Sequence, residues 1–279
     1  MGRTRQWLRR LRGHPRVIVG GVILLLVTFL AVFAPVLAPH DPTSQRLELS
    51  MQRRVAGFPL GTDEFGRCIW SRLLYGARIS LSVGMVAVGI GATIGGFLGL
   101  VAGLWGGRLD SIVMRLMDVM LAIPGILLAI AIVAALGPGM FNVMVAVGVS
   151  SVPAYARLVR GSVLVVRETE YIEAVRALGA RMGRIAARHV VPNIFAPVMV
   201  VASMQMGSAI LAAAGLSFLG LGAQPPTPEW GTMLSRGREF LRVAPHIPTY
   251  PGLAIFVTVI GFNFIGDGLR DLLDPRLKL

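Results

Sequence analysis

The chain has little charge and almost no cysteine. Only 15% of its 279 residues are charged and 54% are hydrophobic, with a mean hydropathy of +0.71. Soluble domains carry about 25% charged residues, so this composition excludes an ordinary soluble enzyme and is typical of a polytopic membrane protein. Cys68 is the single cysteine, which excludes an intrachain disulfide and a cysteine-cluster metal site.

Sequence motifs for catalysis are also missing. The four histidines are scattered and show no metal-ligand spacing such as HExxH, and no P-loop GxxxxGK[ST] is present. We therefore predict a non-catalytic chain that binds no metal and no cofactor. Any work it performs must be powered from elsewhere.

The positive net charge has a membrane explanation. A value of +13 is typical of nucleic-acid binders, but no soluble domain and no basic stripe interleaved with aromatic residues accompany it. Basic residues that flank membrane spans face anionic lipid and set orientation. We predict contact with membrane lipid and none with nucleic acid.

Uncharged runs predict six transmembrane helices and therefore an all-α membrane protein. Val17–Leu37 spans about 30 Å at 1.5 Å per residue, enough to cross a bilayer. Its basic flank resembles a signal peptide, but the run exceeds the 7–15 residues of a signal core, so we predict a retained span. The other predicted spans are Ile79–Trp105, Val119–Leu136, a fourth from Met140, about Ile194–Leu216, and Ile247–Gly266. Gly137-Pro138-Gly139 separates the third from the fourth.

Six spans place both termini on one side, and the distribution of basic residues predicts which side. Two thirds of the 27 Lys and Arg residues fall in segments that are cytoplasmic if the N-terminus is cytoplasmic. The predicted segments are a basic cytoplasmic N-terminus (1–16), a first span (17–37), an extracytoplasmic loop (38–78), a five-helix core (79–269) and a cytoplasmic tail (270–279). Within the core, residues 168–193 form a cytoplasmic loop and residues 223–246 an extracytoplasmic one.

The most informative segment is Tyr171–Asn193, a charged stretch between two apolar spans. Good helix formers dominate it, so we predict a short helix, a bend near Gly179, and a second helix that ends before Pro192. Ala174, Ala177 and Leu178 form a small apolar knob suited to a groove on a partner. The alternative is an interfacial helix with its basic face on lipid headgroups; the small apolar face disfavours it. Arg181, Arg184 and Arg188 share one face.

Polar residues in or near the spans are candidates for a translocation path. Asp118 near the start of the third span either caps that helix or pairs with Arg115, with a role in the path as the alternative. Gln205 and Ser208 in the fifth span line a path or bond a neighbouring helix. Trp230 seats an external partner or belongs to an aromatic belt.

The segment around Glu173 resembles the EAA loop of ABC-importer permeases. That family reads EAA, three residues, Gly, nine residues, then I-x-L-P. Here Glu173-Ala174-Val175 precedes Gly179 at the same spacing, and His189-Val190-Val191-Pro192 closes the pattern. The resemblance implies a coupling helix that sits in a cleft of a cytoplasmic ATPase subunit, with Glu173, Ala174, Ala177, Leu178, Gly179, Arg181, Arg184 and Pro192 as its residues.

Two further blocks resemble the C-type permease subunit of dipeptide, oligopeptide and nickel importers. Leu60–Leu81 is similar to the family pattern GTD-x-x-GRD-x-x-SRL-x-YGAR-x-SL, with Cys68 where the family has Asp. Pro228–Lys278 is similar to the family's C-terminal block. The resemblance covers nearly the whole chain and implies the type I ABC-importer permease fold in a bacterial inner membrane.

The same resemblance implies a set of partners. They are a second homologous permease subunit, two cytoplasmic ATPase subunits that carry ATP and Mg, and an extracytoplasmic solute-binding protein. The chain would form half of a path for peptides or a related solute such as a nickel chelate. Two alternatives are an ion-coupled secondary transporter, which needs intramembrane carboxylates or broken helices, and a membrane scaffold or insertion subunit.

Overall fold

A computed structural model describes residues 15–273, which contain helices and turns and no strand. The α-helices in chain order are α1 Pro15–Val32, α2 Ala34–Leu37, α3 Ile69–Ile90, α4 Gly96–Trp105, α5 Gly107–Ala122, α6 Gly125–Leu136, α7 Met140–Arg167, α8 Glu170–Ala177, α9 Met182–Ile185, α10 Val191–Phe218, α11 Trp230–Gly237 and α12 His246–Leu273. Most of the predicted basic N-terminus (1–16) and of the predicted tail (270–279) lies outside the described residues.

Five helical stretches are long and apolar enough to cross a membrane. They are Pro15–Val32, Ile69–Trp105, Met140–Arg167, Met182–Phe218 and His246–Leu272. Helices α5 and α6 provide a sixth crossing if they count as one span, although they meet at an angle of 91°. The prediction of an all-α membrane protein is confirmed, and the count of six holds with this bent pair included.

The predicted third span, Val119–Leu136, contains a sharp bend. Val119 belongs to the end of α5, and the chain then leaves the helical conformation at Ile123 (φ −97°, ψ 126°) and Pro124 (φ −51°, ψ 130°). A residue before proline disfavours the α region because the proline ring crowds its backbone. The uncharged run therefore contains a helix break that hydropathy does not reveal.

Helix α3 begins at Ile69, ahead of the predicted span start at Ile79. The predicted span begins directly after Arg78, at the first residue of the uncharged run. Arg72 is buried, and its guanidinium donates to the carbonyl of Pro42 at 2.8 Å. The helix continues past this charge because the segment before it supplies the polar partners.

The helix predicted to end before Pro192 in fact continues through it. Residues Ala186–Val190 form a wide π-helical turn, and α10 then starts at Val191 with Pro192 in its first turn. Proline lacks an N–H and its ring clashes with the preceding turn of an α-helix. The wide turn, which changes the hydrogen-bonding register, accommodates that ring without a break, so Met182–Phe218 is continuous.

A row of glycines brings α4 and its preceding π-helical turn against α7. A Cβ on Gly95 or Gly99 would overlap the backbone carbonyls of Val152 or Ala156, and one on Gly103 would lie 2.8 Å from Val163. Small residues at i and i+4 let membrane helices approach this closely. Gly95 and Gly99, which form a GxxxG pair, therefore serve helix packing.

The bundle has two distinct ends. One end, called here the hairpin end, contains Leu104 packed with Ile172 and Ile185. The other, the loop end, contains Trp230 beside Ala77. Helix α12 runs antiparallel to α10, since Gly207 meets Val259 and Gly266 meets Met204. Its last turns therefore lie at the hairpin end, next to Val17 of α1, which approaches Gly268.

Candidate functional site

The hairpin formed by α8 and α9 is the first candidate site. Glu170 and Glu173 lie in the first turn of α8 and Arg176 in its last turn, which complements the helix dipole. The helix ends in a Schellman motif, because Ala180 N donates to Val175 O at 3.3 Å and Gly179 N donates to Arg176 O at 2.9 Å. Gly179 has φ +81°, the conformation this motif requires and glycine adopts without strain.

The inner face of the hairpin is anchored between membrane-spanning helices. Ile172 is 0% exposed and Ile185 is 1% exposed. They belong to one buried cluster with residues of α4, α7, the π-helical turn and α10, namely Leu104, Val159, Val163, Val190 and Ile194. A displacement of the hairpin would therefore be transmitted directly to several spans.

The outer face of the hairpin carries the predicted coupling residues. All of them are exposed: Glu173, Ala174, Ala177, Leu178, Gly179, Arg181, Arg184 and Pro192. Leu178 stands out, since 87% of its surface is accessible, although large apolar residues usually lie inside. The structure thus brings seven of these residues onto α8, α9 and their connection, with Pro192 at the start of α10.

A polar link that no local sequence pattern predicts connects the start of α8 to the start of α10. The side-chain amide of Asn193 donates to the Tyr171 hydroxyl at 3.0 Å and to the carbonyl of His189. The rings of Tyr171 and His189 are 6.1 Å apart between centroids. These contacts join the start of α8 to the start of α10 and hold the hairpin closed.

Asp118 does not occupy the position predicted for it. It lies near the end of α5, so it caps no helix N-terminus, and its carboxylate pairs with Arg157 of α7 at 2.5 Å instead of with Arg115. One turn away from this pair along α7, Arg160 donates to Asp110 at 2.6 and 3.1 Å. These residues line an open cavity of about 520 Å³, so the two ion pairs clamp the first half of the bent span to α7.

Gln205 and Ser208 line a separate cavity of about 230 Å³. Its walls come from α3, α6, α7 and α10, and Ser150 and Ser151 of α7 face it as well. Ser208 and Ile126 are exposed at its rim. Asp118 is absent from this lining, so the three predicted path residues divide between two cavities.

A buried charge cluster at the loop end was also missed. The carboxylate of Asp63 accepts from Arg67 Nε at 2.6 Å and lies 3.4 Å from Arg72 Nε, and these three side chains are 3–5% exposed. Glu64 pairs with Arg67 at 3.0 Å and approaches Arg236 at 3.9 Å. Burial, and then the charge of Asp63, raises the pKa of Glu64 above its ordinary value of 4.5.

Trp230 is buried, contrary to both roles expected from the sequence. It is 3% exposed and its indole Nε1 donates to Leu73 O at 3.0 Å, so it is a packing residue between α11 and α3. It forms neither an aromatic belt nor a free docking surface. Glu229 before it accepts from the amides of Gly231 and Thr232, both at 2.8 Å, and caps α11.

The described part of the chain, residues 15–273, has no group of three or more His, Cys, Asp or Glu side chains placed to hold a metal ion. The described residues form an all-helical membrane bundle with an exposed hairpin and cavities between its helices. Its fold is similar to the solved MetNI methionine ABC transporter in inward-facing conformations, with a TM-score of 0.59, 20% identity, and coverage of 71% of this chain and 95% of that chain.

The family follows from sequence comparison. Residues 95–279 match the family described as binding-protein-dependent transport system inner membrane component, and residues 2–53 match the N-terminal TM domain of oligopeptide transport permease C. The chain belongs to the family of binding-protein-dependent inner membrane components. It is a multi-pass inner-membrane permease subunit of an ABC importer, with a transport role, which confirms the resemblance drawn from the three sequence blocks.

Two curated relatives show how similar the family members are. The glutathione transport system permease protein GsiD of Pectobacterium atrosepticum is 49% identical over 98% of this chain and 90% of its own length. The dipeptide transport system permease protein DppC of Alkalihalophilus pseudofirmus is 46% identical with the same coverages.

Proposed function

We propose that this chain forms half of the translocation path of an ATP-driven importer for dipeptides and oligopeptides. The support for peptides is the level of identity, 46–49% over 98% of the chain, to relatives named for dipeptides and glutathione. A nickel chelate is the other solute class that the sequence resemblance implies. No relative named above carries that function.

The proposed coupling element is the loop of residues 168–193, which contains the hairpin of α8 and α9 and lies at the hairpin end of the bundle. The observation that carries it is the two-sided hairpin, with Leu178 87% exposed on one face and Ile172 fully buried on the other. An ATPase subunit that received Leu178 and Ala174 in a cleft would push on Ile172 and Ile185, and through them on α4, α7 and α10. ATP and Mg would be bound by two such subunits, with none on this chain.

The proposed topology places the hairpin end in the cytoplasm and the loop end outside. Pro15 and the last turns of α12 both lie at the hairpin end, as Val17 approaches Gly268. This arrangement supports two cytoplasmic termini, with residues 38–78 and 223–246 facing the extracytoplasmic solute-binding protein. A second homologous permease subunit would supply the other half of the path, in which Gln205 and Ser208 are the proposed residues of this chain and Asp118 has a clamping role.

Coupling is tested by two substitutions on the exposed face. Glu173→Arg and Gly179→Trp are expected to abolish peptide uptake and binding-protein-stimulated ATP hydrolysis in the reconstituted complex, with normal membrane insertion. A Cβ at Gly179 meets no atom within 4 Å, so tryptophan would project toward a partner, but any side chain at φ +81° also strains the backbone. Gly179→Asn is the matched control, because asparagine tolerates a positive φ and adds little bulk.

The outcomes separate this function from its alternatives. Uptake that survives both substitutions would show that the hairpin is not the coupling element. Uptake driven by an ion gradient without any ATPase would establish a secondary transporter, and undiminished uptake after deletion of the chain would leave only a scaffold role. Copurification of two ATPases and a second permease subunit from mild detergent is the expected result for an importer.

A further inference from the structure

The cavity that contains Gln205 and Ser208 is uncharged and mostly apolar, with a few polar side chains. Four uncharged polar side chains face it, two from α7 (Ser150 and Ser151) and two from α10, and the rest of its lining is Ala, Val, Ile and Gly. An ionised group transferred into such surroundings without a partner carries a large desolvation penalty, whereas an amide is accommodated by a few hydrogen bonds. The cavity is therefore matched to a neutral hydrogen-bonding ligand.

The two serines on α7 line the cavity, and the Ser151 hydroxyl also packs against Gly91. The Ser150 hydroxyl donates to Val147 O at 2.9 Å and the Ser151 hydroxyl donates to Gly148 O at 2.7 Å. Each hydroxyl has one proton and two lone pairs, so its proton is used within the helix and its oxygen remains free to accept. A ligand N–H group is the complement of this pair.

The two polar side chains on α10 add donors. Among residues 15–273 no protein group hydrogen-bonds the Gln205 amide or the Ser208 hydroxyl, and both side chains are at least partly accessible. A glutamine amide donates twice and accepts through its oxygen, and a serine hydroxyl donates once. A ligand carbonyl oxygen is the natural partner of these groups.

An N–H and a carbonyl oxygen at neighbouring positions are what one peptide bond offers. We propose that this cavity binds a backbone amide of the peptide in transit, with Ser150 and Ser151 accepting from its N–H and Gln205 and Ser208 donating to its carbonyl. The inference rests on the proposed peptide-import function and adds a recognition chemistry to it. Because a backbone amide is common to all peptides, such a site discriminates little between side chains.

The volume of the cavity is consistent with a site that holds only part of a peptide. Pockets that enclose a whole drug-sized ligand measure about 300–1,000 Å³, whereas this cavity measures about 230 Å³. Exposed Ile126 and Ser208 place its opening at the surface of the subunit. The cavity therefore holds one peptide unit, and the remainder of the ligand extends beyond this chain.

The test compares two dipeptides that differ by one methyl group. Alanyl-glycine has a peptide N–H, and alanyl-sarcosine has the same carbonyl with the nitrogen methylated. Uptake of each is measured with the complete importer in proteoliposomes at saturating binding protein. The ratio of variant to wild-type rate is then formed for each dipeptide, so that selection by the binding protein cancels.

The double variant Ser150→Ala/Ser151→Ala is expected to reduce alanyl-glycine uptake about 3- to 10-fold, the value of one or two neutral hydrogen bonds. It should leave alanyl-sarcosine uptake nearly unchanged. Gln205→Leu is expected to reduce both dipeptides to a similar degree, because both keep the carbonyl. Ser162→Ala is the matched control, since that serine also donates to its own helix, to Leu158 O at 2.9 Å, but does not line the cavity.

Equal losses for both dipeptides in the double-serine variant would overturn the proposal, since they indicate a packing effect. Unchanged uptake in both the double-serine variant and Gln205→Leu would also overturn it and leave the importer function intact. If the wild-type complex imports neither the two dipeptides nor glutathione, the peptide function itself fails and this inference fails with it.

Discussion

The hairpin end and the loop end differ in the burial of their charged side chains. At the hairpin end Glu173, Arg181 and Arg184 are exposed, whereas at the loop end Asp63 and Arg67 are 3–5% exposed and paired. A buried charge requires a close partner, and an exposed one does not. The loop end is therefore consolidated by its own contacts, and the hairpin end keeps its charged and apolar groups available to another protein.

The largest loss of stability is expected for Asp63→Ala, which disrupts the buried charges of the loop end. The substitution leaves the buried Arg72 without its carboxylate and Arg67 with Glu64 alone, and breaking a buried pair in this way costs about 3–5 kcal/mol. A large drop in thermal stability of the detergent-solubilised chain is the expected result. Glu48→Ala is the control on the same segment, because Glu48 is exposed and surface changes stay within about 0.5 kcal/mol. Equal stability of the two variants would mean that the loop end does not depend on its buried charges.

A smaller loss is expected from the inner face of the hairpin. Ile172→Ala removes buried methyl groups between α8 and the spans and should destabilise the chain by about 2–4 kcal/mol. Leu178→Ala removes apolar surface that is already accessible and should change stability by less than about 0.5 kcal/mol. The same Leu178 variant should still weaken copurification of the ATPase subunits. If Leu178→Ala destabilised the chain as much as Ile172→Ala, the two-sided description of the hairpin would be wrong.

The smallest effect concerns pH at the loop end. The raised pKa of Glu64 means that the folded chain binds a proton more readily than the unfolded chain. Its contribution to stability is then fully present below the ordinary pKa of 4.5 and is lost as the pH rises through the raised value. The groups around Glu64 are Asp63, Arg67, Arg72 and Arg236.

Glu64→Gln removes this titration and keeps an oxygen that can accept from Arg67. Melting temperatures measured from pH 4.5 to pH 7 should fall less steeply in this variant than in the wild type. A steeper fall in the variant would contradict the sign of the pKa shift. The difference between the two profiles isolates Glu64 because other titrating groups are common to both.

Much of the fold is predictable from local sequence patterns. Hydropathy predicts the spans. Gly137-Pro138-Gly139 predicts the turn that separates α6 from α7, and α7 starts at Met140. The helix formers of this segment and their interruption at Gly179 predicted the hairpin and its bend. These features depend on short-range composition and backbone preference, which a single sequence contains.

What the sequence did not reveal depends on distant partners. Arg72 is a charged residue just before an apolar run, yet it lies inside α3. Its side chain is paired there with the carboxylate of Asp63 and the carbonyl of Pro42, both from the preceding segment. Asp118 seemed to belong with Arg115, but its partner Arg157 is 39 residues away. Ser150 and Ser151 line the same cavity as Gln205 because four helices pack together around it. A single sequence does not reveal that packing.

The glycine contacts between α4 and α7 provide an internal ruler for spectroscopy. Because backbone meets backbone at Gly95 and Gly99, the two helices have no side-chain layer that could slide or repack between them. We therefore expect a pair of labels on these helices to report a constant separation during transport. Distances from that pair to labels on α10 or α12 then measure motion directly, without reference to lipid or to another subunit.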